Sequence, residues 1–212
     1  MWTEVGHVEA IESSQVIELA DHGRTVLAQC LHCRAIYAVS FDGVKFTRNK
    51  LRDFGDTYGV GAYDLARQAP DGSVWMNVGF NRLMHYHDGQ LDEVHPDRRL
   101  LHVDAAGRVW TCDETVKVQV GDRWLDSQVR AGKLVEGPDG RIWSLGDATV
   151  SELVIGQDEK GPVVRQAGTY PWRTLRNQFD DDFIDNADGL WLSTSVNKAI
   201  RVQLPPATQP AK

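Results

Sequence analysis

Asp71-Gly72-Ser73-Val74-Trp75 decides the fold, because it returns along the chain. It comes back as Ala106-Gly107-Arg108-Val109-Trp110 and as Asp139-Gly140-Arg141-Ile142-Trp143. One residue shorter, it closes the series as Asp188-Gly189-Leu190-Trp191. A fainter copy, Asp21-His22-Gly23-Arg24-Thr25-Val26, precedes them all. The five glycines are separated by 49, 35, 33 and 49 residues.

Each copy sits at the same place in a longer rhythm. A short apolar stretch leads into the glycine: Val16–Leu19, Tyr63–Ala66, Leu100–Val103, Lys133–Val135 and Phe183–Ile184. The glycine makes the turn, since such turns often need a positive φ. The tryptophan strand comes next, then a third strand such as Asn81–Tyr86 or Thr149–Val154. A second glycine turn, at Asp42-Gly43, Asp88-Gly89 or Gly121-Asp122, leads to an outer strand such as Gln90–Val94. Four short strands per period of about 42 residues predict the blade of a β-propeller, an all-β fold. No helix of consequence is expected. After Gly189 the chain supplies only two further strands, and Trp2–Ala10 reads as one unassigned strand. The sequence therefore predicts five blades, the last completed by the N-terminal strand, which would remove two exposed sheet edges. One propeller domain is expected over 1–204, with 205–212 a flexible Pro-rich tail.

Bulk properties narrow the function classes. A net charge of −7 in 212 residues argues against a nucleic-acid phosphate backbone as partner and leaves room for a basic one. No apolar run approaches the roughly 20 residues of a membrane span, so no membrane association is expected. The N-terminus lacks a basic region with an apolar stretch behind it. Three cysteines are too few for a disulfide framework, and cytoplasmic residence is the resulting expectation.

The repeated phrase resembles that of propellers of the two-component-regulator and streptogramin (virginiamycin B) lyase type. Asp71–Trp75, Asp139–Trp143 and Asp188–Trp191 carry the likeness. The lyase group has seven blades, with a metal ion and a His/Glu acid–base set in the central channel. The present chain reads as five blades, and that set does not map onto it. The resemblance thus implies the fold and leaves the chemistry open.

Several residue groups have the composition of a site. Cys30-Leu31-His32-Cys33 has the spacing of half a zinc site, but four ligands are needed and only Cys112 remains. The next stretch, Ala35–Val39, is strand-like rather than the helix a thioredoxin-type motif requires. The pair reads as small buried thiols on either side of a turn. His85-Tyr86-His87 puts two imidazoles on one face of a strand, with His95 and His102 further on. A metal or acid–base pair is conceivable there, and a water-facing polar surface is the plainer expectation. Around the channel, His102, Glu136 and Asp185 are the candidates, Glu136 and Asp185 each lying four residues before a repeat glycine. The run Asp180-Asp181-Asp182 does not have the spacing of a calcium loop and reads as a solvated acidic loop. No nucleophile elbow, phosphate loop or His-Glu-x-x-His pair occurs. No metal and no cofactor are expected.

Two of the spacings are long, and blade strands have little freedom to grow. The surplus is expected in connections: mainly Leu51–Ala62 for one, and partly Gln157–Gly161 but mainly Gly168–Asp182 for the other. Both main insertions join an outer strand to the next inner strand, which would set them on one rim. They hold Tyr58, Tyr170, Trp172, Arg173 and Arg176, residue types enriched at binding hot spots, on loops of a rigid scaffold. The leading expectation is a non-enzymatic, monomeric protein binder, an inhibitor or immunity protein that neutralises a basic toxin. Those five residues would anchor the partner, and Asp180, Asp181 and Asp182 would meet its basic groups. The alternatives are a lyase- or hydrolase-like enzyme using His102, Glu136 and Asp185, and a sugar-binding lectin.

Overall fold

The structure, a computed structural model, describes residues 14–30, 35–54, 65–79, 81–130, 133–146, 149–171, 179–184, 189–194 and 198–204. Its strands fall into five consecutive sheets. The first is β1 (Ser14–Ala20), β2 (Thr25–Cys30), β3 (Ala35–Phe41) and β4 (Phe46–Asp53). The second is β5 (Ala66–Gln68), β6 (Val74–Val78), β7 (Arg82–His87) and β8 (Gln90–His95). The third is β9 (Arg99–Val103), β10 (Val109–Cys112), β11 (Thr115–Val120) and β12 (Arg123–Arg130). The fourth is β13 (Lys133–Glu136), β14 (Ile142–Leu145), β15 (Thr149–Asp158) and β16 (Gly161–Pro171). The fifth has three strands, β17 (Phe179–Ile184), β18 (Gly189–Thr194) and β19 (Lys198–Gln203). Each sheet is a meander in chain order, with neighbouring strands antiparallel. Trp2–Ala10, the strand expected to complete the fifth sheet, lies outside the described residues.

Contacts divide the chain into two compact units, Met1–Thr111 and Cys112–Lys212. In the first, the core gathers Leu27, Ile36, Val74, Met76, Met84 and Tyr86 from the first two sheets. In the second, Val135, Trp143, Leu145 and Val150 of the fourth sheet pack with Leu190 and Leu204 of the fifth. Trp143 thus packs between successive sheets, as expected of a repeat whose units cannot bury their apolar faces alone.

The phrase folds the same way three times. In the second sheet Ala69 N donates to Ser73 O and Gly72 N to Ala69 O, at 2.8 and 2.9 Å. Asp104–Arg108 and Gly137–Arg141 repeat both bonds. Gly72, Gly107 and Gly140 all have φ between +77° and +88°, where a side chain is strained. A carboxylate ties down each turn. Asp71 accepts from the N–H and hydroxyl of Ser73, and Asp139 from the N–H and Nε of Arg141. In the third copy alanine replaces that aspartate, and Asp104, two residues earlier, takes over. It accepts from Ala106 N, Arg108 N, Arg108 Nε and, at 2.8 Å, Trp110 Nε1.

The faint copy is also a true turn. Asp21–Gly23 forms a single 3-10 turn between β1 and β2, and Asp21 N donates to Gly72 O at 2.7 Å. A Cβ on Gly72 would lie 3.1 Å from the His22 ring, so glycine is required there for close approach as well as for φ. Asn77, fully buried, clamps β6 to β9: its Oδ1 accepts from Leu100 N at 2.6 Å.

Three expectations change. The inner strand of the second sheet begins at Ala66, later than the Tyr63–Ala66 stretch implies. The surplus of the long fourth repeat is not confined to connections. It lengthens β15 and β16 to 10 and 11 residues, against 4 in β14. Ile142 pairs with Leu153, so Val154–Asp158 run on past β14 and pair with Gly161–Arg165 alone. A hairpin can grow outward in this way because each added pair satisfies its own backbone, and here the ribbon lies along β12. Asp180–Asp182, finally, belong to strand β17, with Asp182 across from Leu192. Tertiary pairing overrides the low strand propensity of aspartate.

The cysteines differ from expectation as well. Cys30 is disulfide-bonded, while Cys112 is free and buried. Cys30 ends β2 across from Ala35, the first residue of β3. Cys33 lies outside the described residues.

Candidate functional site

In four of the sheets the strand registers line up one row of residues across the sheet, all on one face. In the second sheet the row is Arg67, Trp75, His85 and Asp92. In the fourth it is Val135, Trp143, Glu152 and Gly168. In the fifth it is Phe183, Trp191 and Arg201. In the first, which lacks the tryptophan, it is Leu19, Val26, Val39 and Arg48. The tryptophan is constant in three of these rows. The third-strand residue beside it is a histidine, a carboxylate and a guanidinium in turn.

The second-sheet row is the most elaborate. His85 stacks on Trp75, ring centroids 3.9 Å apart and planes 13° from parallel. His87 comes next on the same face, its ring 4.8 Å from that of His85. His87 Nε2 lies 3.1 Å from Asp92 Oδ2, and Nδ1 lies 3.6 Å from Asp88 Oδ2. Both nitrogens of His87 therefore face carboxylates. His85 differs: its Nε2 is buried with no hydrogen-bond partner among the described residues. Burial, reinforced by the nearby His87, lowers its pKa from 6.5 to about 4 against the opposing pull of Asp71 and Asp92. The pair is on one face as expected, and His85 is half-buried there, with the indole of Trp75 stacked against one side of its ring. The hydrogen bond from Ser73 holds the Asp71 carboxyl below its usual range.

In the fourth-sheet row, Glu152 is only 4% exposed. The Arg141 guanidinium sits 5.2 Å from the centre of the Trp143 ring, a cation–π distance. Gly168, across from Glu152 on β16, contributes no side chain to cover it. Burial raises the Asp139 carboxyl, and the hydrogen bonds from Arg141 outweigh it, leaving the pKa lowered.

The residues singled out from sequence are scattered over both units. His102 lies half-buried on β9 in the first unit, and Glu136 lies half-buried at the end of β13 in the second, across from Ile142. Tyr170 lies on β16 across from Val150. Tyr58, Trp172, Arg173, Arg176 and Asp185 lie outside the described residues. Sequence reading missed Glu152 and undervalued His85. The signal lies in the register: a polar residue on the third strand stands directly opposite Trp75, Trp143 and Trp191. Among the described residues no three His, Cys, Asp or Glu side chains group as metal ligands. No helix among them is long and apolar enough to cross a membrane.

No family model matches the chain, and no curated protein matches its sequence. Solved structures do. Virginiamycin B lyase from Staphylococcus aureus is similar at TM-score 0.55 and 15% identity, over 93% of this chain and 72% of that one. The extracellular domain of a hybrid two-component system from B. thetaiotaomicron is similar at TM-score 0.54 and 15% identity, over 90% of this chain and 27% of that one. YCF48 bound to D1 peptide is similar at TM-score 0.50 and 14% identity, over 85% of this chain and 62% of that one. At these identities the likeness shows fold. The chain is an all-β repeat protein of the β-propeller class, matching virginiamycin B lyase-like and two-component-regulator propellers.

Proposed function

We propose that this chain is a non-enzymatic β-propeller that binds another protein. One observation carries the reading: the rows repeat in backbone but not in chemistry. His85, Glu152 and Arg201 occupy matching places beside three tryptophans. A lectin that repeats its pocket would keep that place constant. A surface complementary to one irregular partner has no such need. YCF48, solved with a bound peptide, offers a precedent for the fold in that use.

In this reading the five sheets are five blades of a ring, and Trp2–Ala10 supplies the missing strand of the fifth. Tyr58, Tyr170, Trp172, Arg173 and Arg176 are the proposed anchors, with Asp180, Asp181 and Asp182 facing basic groups. An inhibitor or immunity protein acting on a basic toxin fits the net charge of −7. The disulfide at Cys30 fits an oxidising compartment better than the cytoplasm. The test is a quantitative binding assay on a partner recovered at fixed stoichiometry. Trp172→Ala is expected to weaken binding by about 2 kcal/mol or more, and an unchanged affinity removes Trp172 from the interface.

A second reading is favoured by the likeness to a lyase. It uses His102, Glu136 and Asp185 as an acid–base set. Turnover of a streptogramin substrate, abolished by His102→Ala and Glu136→Gln, would establish it in place of the binder.

A further inference from the structure

The four-stranded sheets end in outer strands, and one of those strands is unlike the rest. β8 buries Leu91, β12 buries Leu125 and Ser127, and β16 buries Val164. β4 has no fully buried residue: Leu51 packs in part against the core near its far end, and Thr47, Arg48, Asn49 and Lys50 are exposed in succession, so both faces are open over that stretch. It is held by pairing to β3 and, near its far end, by Arg52, whose guanidinium meets Glu93 of β8 at 3.2 Å. As the last strand of its sheet it also has a backbone edge that pairs with no other strand among the described residues.

The register says which groups line that edge. Asp42 N donates to Lys45 O at 3.2 Å across the turn. Antiparallel pairs alternate between bonded and non-bonded. The pairs Phe41–Phe46, Val39–Arg48 and Tyr37–Lys50 are therefore non-bonded. The N–H and C=O groups of Phe46, Arg48 and Lys50 consequently point away from β3. The side chains of the same three residues share one face. Beyond Lys50 a bulge between Ile36 and Tyr37 shifts the register and ends the regular edge.

The charge of this edge runs against that of the chain. Residues 44–52 carry Lys45, Arg48, Lys50 and Arg52 and no carboxylate, in a protein of net charge −7. Arg48 lies over the Tyr37 ring at 5.4 Å and has no carboxylate partner among the described residues. Lys50 meets the exposed Asp53 at 3.1 Å, a pair of little energetic weight. At the turn end Val44 is 89% exposed, beside the Phe41–Phe46 ring pair at 4.7 Å. An open edge, a cationic row on one face and an apolar corner together form a docking surface.

We propose that β4 receives an extended acidic segment of a partner protein, added as a fifth strand to the first sheet. Backbone bonds to Phe46, Arg48 and Lys50 would hold it, carboxylates on alternate residues would meet Arg48 and Lys50, and an apolar residue would rest on Val44 and Phe46. Strand addition is an established mode of peptide recognition. Cationic side chains on a sheet edge also deter self-association, so the two roles must be separated by measurement. This surface is independent of the loop residues proposed above as anchors.

The probe is an eight-residue peptide alternating glutamate and valine, monitored by fluorescence anisotropy and by amide chemical shifts. It is expected to bind, to shift the amides of Phe46, Arg48 and Lys50 most, and to lose at least tenfold in affinity to R48E/K50E. Both substituted residues are exposed, so that variant should fold, and its amide spectrum will show whether it does. A peptide N-methylated at alternate residues keeps its charge but cannot complete the backbone bonds, and it is expected to bind at least tenfold more weakly. Equal binding of the methylated peptide, or of a single-stranded oligonucleotide of equal charge, would show plain charge attraction and overturn the proposal. Shifts centred away from β4, or no binding at millimolar peptide, would overturn it too.

Discussion

Trp75 and Trp143 start from the same five-residue phrase and occupy the same place in their sheets, yet their surroundings differ. Trp143 is fully buried and packs with Leu190 and Leu204 of the next sheet. Trp75 is 7% exposed and lays one face against His85. The neighbour of Trp143 on the third strand is a buried carboxylate, whereas that of Trp75 is a neutral imidazole. The phrase therefore specifies the turn, the second strand and the indole, and leaves the residue opposite free to vary. A repeat can then carry different chemistry in each copy without losing its frame.

The largest effect should come from the tryptophans. Trp143→Ala is expected to cost about 3–5 kcal/mol, as full truncation of a buried indole does. Trp75→Ala should cost less, because part of its ring faces a half-buried polar neighbour. Chemical denaturation of the two variants tests this, and equal losses would break the contrast.

The smallest effect is the pH dependence of His85. Its folded pKa, about 4, is depressed below the ordinary 6.5, so folding favours the neutral ring. The resulting stability is complete above pH 6.5 and is lost as pH falls toward 4. Discounted for partial exposure, the loss is on the order of 1 kcal/mol. His85→Gln should flatten that part of the stability curve. A separate loss is expected below about pH 4, where Asp113, drawn down to about 2 by its hydrogen bond from Lys117, becomes protonated. That segment should survive His85→Gln and shrink in Lys117→Met, with the remainder carried by backbone hydrogen bonds to Asp113 and by the other lowered aspartates such as Asp71 and Asp139.

Much of the frame was legible in the residues. Glycine at 72, 107 and 140 announced turns that need positive φ, and strand order could be read from alternating apolar stretches and turn pairs. Even the faint copy at Gly23 proved to be a turn bonded to the next one. The third turn shows the limit: Asp104 replaces a missing aspartate from two residues upstream, through a geometry no spacing rule anticipates. The β15–β16 ribbon was hidden because a hairpin that extends past its sheet looks, in sequence, like a loop insertion. Asp180–Asp182 read as loop because their pairing with β18 depends on partners outside their own stretch. The partial burial of His85 was not legible because it depends on where the indole of Trp75 falls, which period-two alternation does not reveal.

Trp75, in short, shields one side of its third-strand neighbour His85, while the residue opposite the tryptophan changes from row to row. Titration of the His85 ring by NMR, in the parent protein and in Trp75→Ala, decides whether it does. A midpoint near pH 4 that returns toward 6.5 when the indole is removed is the expected result. A midpoint at 6.5 in the parent protein would refute the shielding of His85 by Trp75.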